Sequence, residues 1–151
     1  MINLKRTNSE NQDFIELVRK LDAELKERDG VENDFYAQFN KIDRIKYAIV
    51  VYENEMPIAC GAIKQFDEKS MEVKRMYVMS EARGKGIATK ILLELEKWAS
   101  ELNYQYCVLE TGKRQIEALA LYKKNCYQIT ENYGQYKGIE NSICFRKKIR
   151  A

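Results

Sequence analysis

"MYVMSEARGKGIATKILLELEKWA", Met76 to Ala99, is the stretch on which the reading of this chain turns. Met76-Tyr77-Val78 closes a β-prone run. After the turn, Ile87, Ala88, Ile91, Leu92, Leu95, Trp98, Ala99 and Leu102 recur as one apolar stripe at helical spacing. Between them stands Arg83-Gly84-Lys85-Gly86, two glycines alternating with two cations. Glycine permits positive φ and close approach of a ligand to the backbone. The start of a long helix adds unpaired N–H groups and a dipole end that favours negative charge. The turn therefore reads as an anion site or as a tight strand-to-helix connection with exposed cations. It is not a P-loop, because "GKGIATK" lacks Gly-Lys-Ser/Thr. It is not a dinucleotide fingerprint either, since Thr89 stands where the third glycine belongs.

Upstream, Asp13 to Arg28 carries Phe14, Leu17, Val18, Leu21 and Leu25 at helical spacing, and Gly30 suits a C-terminal cap. A second short helix or an irregular segment is expected over Asp34 to Asn40. Lys46 to Tyr52, apolar on both faces, reads as an inner strand. Glu53 to Pro57 is the following turn, and Ile58 to Phe66 the return strand. In Met71 to Met79, Val73 has one parity and Met76 and Val78 the other, so a β-bulge between them is expected. Downstream of the Gly86 to Leu102 helix come a strand (Tyr104 to Glu110), a helix (Gln115 to Asn125) and two strands (Tyr127 to Tyr133, Ser142 to Ile149). This order predicts one α/β domain over residues 1–151, built on a mixed, largely antiparallel sheet flanked by helices.

The 151 residues carry a net charge of +3, and Arg146-Lys147-Lys148, the one basic cluster, reads as a solvated strand end. No nucleic-acid partner is expected. No apolar run reaches membrane-spanning length, so a cytoplasmic protein without a membrane partner is expected. Cys60, Cys107, Cys126 and Cys144 are far apart among apolar or β-prone residues and read as buried thiols. The chain has no histidine, which removes Ser-His-Asp and Cys-His catalysis and the H-E-x-x-H metal site. No metal is expected, and any general base is a carboxylate, tyrosine, lysine, thiolate or relayed water.

Arg83-Gly84-Lys85-Gly86-Ile87-Ala88 fits the Arg/Gln-x-x-Gly-x-Gly/Ala motif of the GNAT superfamily of acyl-CoA-dependent N-acyltransferases. "MEVKRMYV" before it resembles that superfamily's fourth strand. "LETGKRQIEALALYKKNCY" after it resembles the fifth strand and the following helix. The three blocks lie in order within Tyr47 to Ile149. Gln115 stands where many members have Asn, and Asn125-Cys126 replaces x-Gly before Tyr127. Asparagine tolerates left-handed backbone, so the helix is expected to end at Asn125, one residue early.

The resemblance implies a sheet that splays between its fourth and fifth strands, and acetyl-CoA as co-substrate. Its pyrophosphate would lie on Arg83, Gly84, Lys85, Gly86, Ile87 and Ala88. The pantetheine arm would pair with main chain at Met76, Tyr77 and Val78, with Gln115 a further contact and the Val78 N–H offered to the developing oxyanion. Glu72, six residues before Val78, matches the family's carboxylate base, with Glu110 as the rival. Tyr122 matches the tyrosine that protonates or hydrogen-bonds the CoA sulfur, and also fits a core position. The acceptor would be a primary amine of a small molecule, peptide or protein, acetylated by direct attack in a ternary complex. It would be shaped by Asp13 to Asn40 and Tyr133 to Asn141. Asp29, Glu32, Asp34, Glu131 and Glu140 are candidate attractors and Tyr133 and Tyr136 candidate walls, although ordinary surface residues would look the same. That last loop is also a candidate homodimer contact. A non-catalytic acyl-CoA-binding regulatory module is the alternative.

Overall fold

The computed structural model describes residues 1–29 and 44–150, with backbone alone at 28 and 29. The element expected over Asp34 to Asn40 lies outside the described residues, as do Gly30, Glu32 and the side chain of Asp29. In chain order the elements are β1 (Ile2–Thr7), α1 (Gln12–Asp29), β2 (Tyr47–Glu53), β3 (Met56–Gln65), β4 (Ser70–Val78), α2 (Ile87–Glu101), β5 (Tyr106–Gly112), α3 (Ile116–Lys124), β6 (Gln128–Thr130) and β7 (Ser142–Lys148). Hydrogen bonding joins the strands in the order β1-β2-β3-β4-β5-β7-β6. The parallel ladder pairs Ser70, Met71 and Glu72 with Tyr106, Cys107 and Val108. β4 and β5 both run on past it, and this is the expected splay. β1, which the sequence reading left out, makes Ser70–Val78 the fourth strand. No helix among the described residues is long and apolar enough to cross a membrane.

The chain divides into two compact units, Met1–Lys64 with Val73–Leu95, and Gln65–Glu72 with Glu96–Ala151. In the first, Asn11 caps α1 by accepting the Phe14 N–H at 3.0 Å. Phe14, Leu17 and Val18 then pack on Ile45, Ala48, Val50, Cys60 and Ala62. Burying each large apolar side chain stabilises by about 1.5–3 kcal/mol. The β2–β3 hairpin turns on Asn54 and Glu55, both left-handed (φ 52° and 71°) as a two-residue turn requires. Pro57 therefore belongs to β3 and not to the turn; it faces Tyr52 beside a register shift, where a missing N–H costs no ladder bond. Gly61 admits α2 close to the sheet, since a Cβ there would stand 2.6 Å from Ile91 and 2.7 Å from Met76. The irregularity expected between Val73 and Met76 falls at Arg75, whose φ is 59°. The Arg75 side chain is 2% exposed and pairs with Asp22 of α1 at 2.7 Å, and Cys60 Sγ donates to its carbonyl at 3.3 Å.

In the second unit β7 lies antiparallel to β5, from Tyr106↔Lys148 to Gly112↔Ser142, and β6 pairs on its outer side. Lys147 corrects the expectation of a solvated strand end. It is half-buried and paired at 2.8 Å with Glu96, which also accepts the Tyr127 hydroxyl at 3.0 Å. Two departures cluster at the end of α3. Asn125 is not left-handed (φ −93°), and Cys126 is, at φ 72°. The helix thus turns where the family has glycine, and not one residue early. Cys126 is exposed, whereas Cys60, Cys107 and Cys144 are buried as expected.

Candidate active site

After β4 the chain makes a 3₁₀ turn (Ser80–Ala82), then passes through extended Arg83 into Gly84 (φ 79°) and Gly86 (φ 78°), and α2 begins at Ile87. Among the described residues nothing lies within 4 Å of where a Cβ would stand on either glycine. Backbone conformation and not crowding therefore demands glycine here, and the space over the turn is open. The first turn of α2 contains no acid of its own to offset the positive end of its dipole. Lys85 is exposed and makes no ion pair among the described residues. Arg83 is engaged within the protein. Its Nε donates to the Val78 carbonyl at 2.8 Å, Nη2 pairs with Glu24 of α1 at 2.8 Å, and the guanidinium lies 5.8 Å from the Tyr77 ring centroid. Arg83, itself exposed, thus ties the turn to β4 and α1, and the cation of the two that makes no ion pair among the described residues is Lys85. Met76, Tyr77 and Val78 are half-buried on β4; Ile87 is buried and Ala88 half-buried. Burial raises the Tyr77 pKa, with Glu24 adding to the rise.

The second unit gathers the candidate acids. Glu72 is the last residue of the parallel ladder, opposite Val108. Glu110 follows two residues along β5 and faces Cys144 on β7. Period-two alternation puts all of these on one side of the sheet. Glu72 Oε2 accepts the Tyr133 hydroxyl at 2.7 Å. The Tyr133 ring lies 4.6 Å from the centroid of Phe66 and 5.9 Å from that of Tyr136. Burial raises Tyr136, and Glu110 and Glu72 raise it further. Burial chiefly, then the same two carboxylates, push the Cys144 thiol up to about 11. Both carboxylates thus act on the same two groups, Tyr136 and Cys144.

Tyr122 is 6% exposed on α3, its ring 5.9 Å from those of Tyr127 and Phe145. Its hydroxyl makes no hydrogen bond among the described residues. Burial first and Glu110 second raise its pKa, so it holds its proton at neutral pH. Gln115 is buried at the N-cap of α3 without a side-chain capping bond.

Residues 11–126 match the family model described as "Acetyltransferase (GNAT) family". The chain belongs to that family. It is similar to the uncharacterized N-acetyltransferase YsnE of Bacillus subtilis (strain 168), 29% identical over 65% of this chain and 66% of that one, so the match spans just under two thirds of that relative. A structure from Klebsiella pneumoniae, provisionally an acyl-CoA N-acyltransferase, aligns with TM-score 0.83 and 25% identity over 99% of this chain and 98% of the other. The PaiA N-acetyltransferase of Thermoplasma acidophilum, solved in complex with coenzyme A, shares the fold at TM-score 0.73 and 18% identity, over 98% and 99% of the two chains. Family, relatives and fold together make the chain an acetyl-CoA-dependent N-acetyltransferase.

In this acetyltransferase the glycine turn suits a diphosphate, since open backbone, an acid-free helix start and Lys85 coincide there. The sequence reading took Tyr133 only as a wall. That its hydroxyl reaches Glu72, sixty-one residues away, follows from the path of the loop and not from any local pattern.

Proposed function

We propose that residues 1–151 act as one domain that transfers the acetyl group of acetyl-CoA directly to a primary amine in a ternary complex. The supporting observation is the grouping of Glu72, Glu110 and Tyr122, whose hydroxyl makes no hydrogen bond among the described residues, in a chain without histidine. In this reading the backbone of Gly84 to Ala88, with Lys85, holds the pyrophosphate, while Arg83 keeps the turn in shape. Main chain at Met76, Tyr77 and Val78 pairs with the pantetheine arm, Gln115 adds an amide contact, and the Val78 N–H meets the developing oxyanion.

Acetyl-CoA supplies the electrophilic thioester carbonyl. Glu72, directly or through one water, removes a proton from the amine, which is mostly ammonium at neutral pH. The C–N bond forms, the nitrogen, now carrying a positive charge, gives its second proton to solvent, the C–S bond breaks, and sulfur leaves as thiolate. Tyr122 supports it as a hydrogen-bond donor. Full proton transfer from Tyr122 to a thiolate of ordinary basicity, about 8.5, is uphill because burial and Glu110 raise the tyrosine. The thiolate is then protonated by solvent.

The test is release of CoA thiol when the protein and acetyl-CoA meet a panel of primary amines, with Glu72→Gln and Tyr122→Phe alongside. Amine-stimulated release that falls in both variants is expected. Tight CoA binding without stimulated release would overturn the reading in favour of a non-catalytic module, and an unchanged Tyr122→Phe rate would remove the tyrosine's role.

A further inference from the structure

Glu72 stands at the end of its ladder. Beyond Glu72↔Val108 no parallel pairing extends the hold of β5 on β4. A glutamate side chain is rich in rotamers, so its carboxylate is not held in one place by the backbone alone. The loop between β6 and β7 supplies that hold. The Tyr133 hydroxyl donates to Glu72 Oε2 at 2.7 Å. The Tyr133 ring is itself fixed from two sides, tilted 59° against Phe66 and edge-on to Tyr136 at 81°. The loop that carries it is gathered by Asn132, whose Nδ2 donates to the carbonyls of Tyr136 (3.1 Å), Ile139 (3.0 Å) and Ser142 (3.0 Å). Tyr136 N–H closes back on the Tyr133 carbonyl at 2.9 Å. A ring fixed by its own loop is pre-organised, so the bond it makes orders Glu72 at little further entropic cost.

We propose that Tyr133 is a positioning residue for Glu72, holding the carboxylate in the orientation from which it accepts the amine proton. The Asn132-gathered loop is the scaffold that presents it. Tyr133 touches neither substrate nor acyl group in this assignment and acts only through Glu72. The inference rests on Glu72 being the base.

A kinetic cycle of Glu72→Gln, Tyr133→Phe and the double variant tests it, with putrescine, benzylamine and a lysine-containing tripeptide as acceptor probes and CoA thiol as the readout. Tyr133→Phe keeps the ring and removes the donor. It is expected to lower kcat about ten-fold or more, as losing a hydrogen bond to a charged group does, and to leave KM for acetyl-CoA within about two-fold. It is expected to add nothing in the Glu72→Gln background. Wild-type kcat in Glu72→Gln, or no thiol release with any probe, overturns the base reading and this inference with it. A slow Glu72→Gln beside a wild-type Tyr133→Phe overturns this inference alone, and so do losses that multiply in the double variant. Should Tyr133→Phe not fold by circular dichroism, Phe66→Leu serves instead, because that ring is 39% exposed. It is expected to lower kcat about three-fold by loosening Tyr133, and an unchanged kcat counts against the proposal.

Discussion

Replacing Cys126 by glycine should stabilise this acetyltransferase by about 0.5–1 kcal/mol. Cys126 is left-handed at φ 72° and exposed. Its N–H donates to the Lys123 carbonyl at 3.2 Å, and the Tyr127 N–H to the Tyr122 carbonyl at 3.0 Å. Together these bonds form a Schellman motif with Cys126 at the position glycine usually takes. The accompanying contact between the ends of the motif is the Tyr122–Tyr127 ring pair, 5.9 Å between centroids. Left-handed backbone costs a residue with a Cβ about 1–2 kcal/mol. Glycine removes that cost but gives back about 0.5–1 kcal/mol through its freer unfolded chain. The difference raises Tm by about 1–4 °C in a chain of this size. Urea denaturation and differential scanning calorimetry measure it, and kcat should not change, because Tyr122 keeps its place. A neutral or destabilising result would refute the assignment of Cys126 as the strained residue, and a lost rate would show that its thiol does something the contacts do not reveal.

Three further outcomes are expected. Gly86→Ala places a Cβ at φ 78° over the open turn, weakening CoA binding in calorimetry, while Gly61→Ala, with neighbours at 2.6 and 2.7 Å, costs about 1–3 kcal/mol of stability and leaves CoA affinity unchanged. Equal CoA affinity in Gly86→Ala and wild type would count against the cradle. Asp22→Ala leaves the buried Arg75 guanidinium, whose Nε and Nη2 have no hydrogen-bond partner among the described residues, without its ion pair. A loss of about 1–3 kcal/mol in urea is expected, less than for a fully buried pair because Asp22 is 51% exposed. Stability should also decline in alkali. Burial chiefly raises the Cys144 and Cys107 thiols from 9.0 to about 11 and about 12, so above pH 9 the unfolded chain loses these protons before the native one does. Each thiol then subtracts about 1.4 kcal/mol per pH unit until its native form titrates, which urea midpoints at mildly and strongly alkaline pH would follow.

The long stripe from Ile87 and the two glycines before it were legible because periodicity and left-handed backbone leave marks on residue type. The same holds for the break in β4, visible as a parity change and realised at Arg75. β1 was not legible. Its Asn3 and Lys5 point to solvent from an edge strand, and their polarity masks the alternation of Ile2 and Leu4. Cys126 was misread as buried because its apolar neighbours say nothing about its own exposure, which the helix-end geometry sets.

By itself, the sequence determined the fold and the left-handed glycines of the turn before α2, since glycine conformation, helix polarity and strand periodicity are local properties that residue types record. Tertiary structure alone decided which side chains meet. Arg83 turned out to be engaged by Glu24, Lys147 by Glu96, and Glu72 by Tyr133. Each pairing joins residues some fifty or more positions apart, and hydrogen bonds between such residues depend on where the loops travel and not on any spacing along the chain.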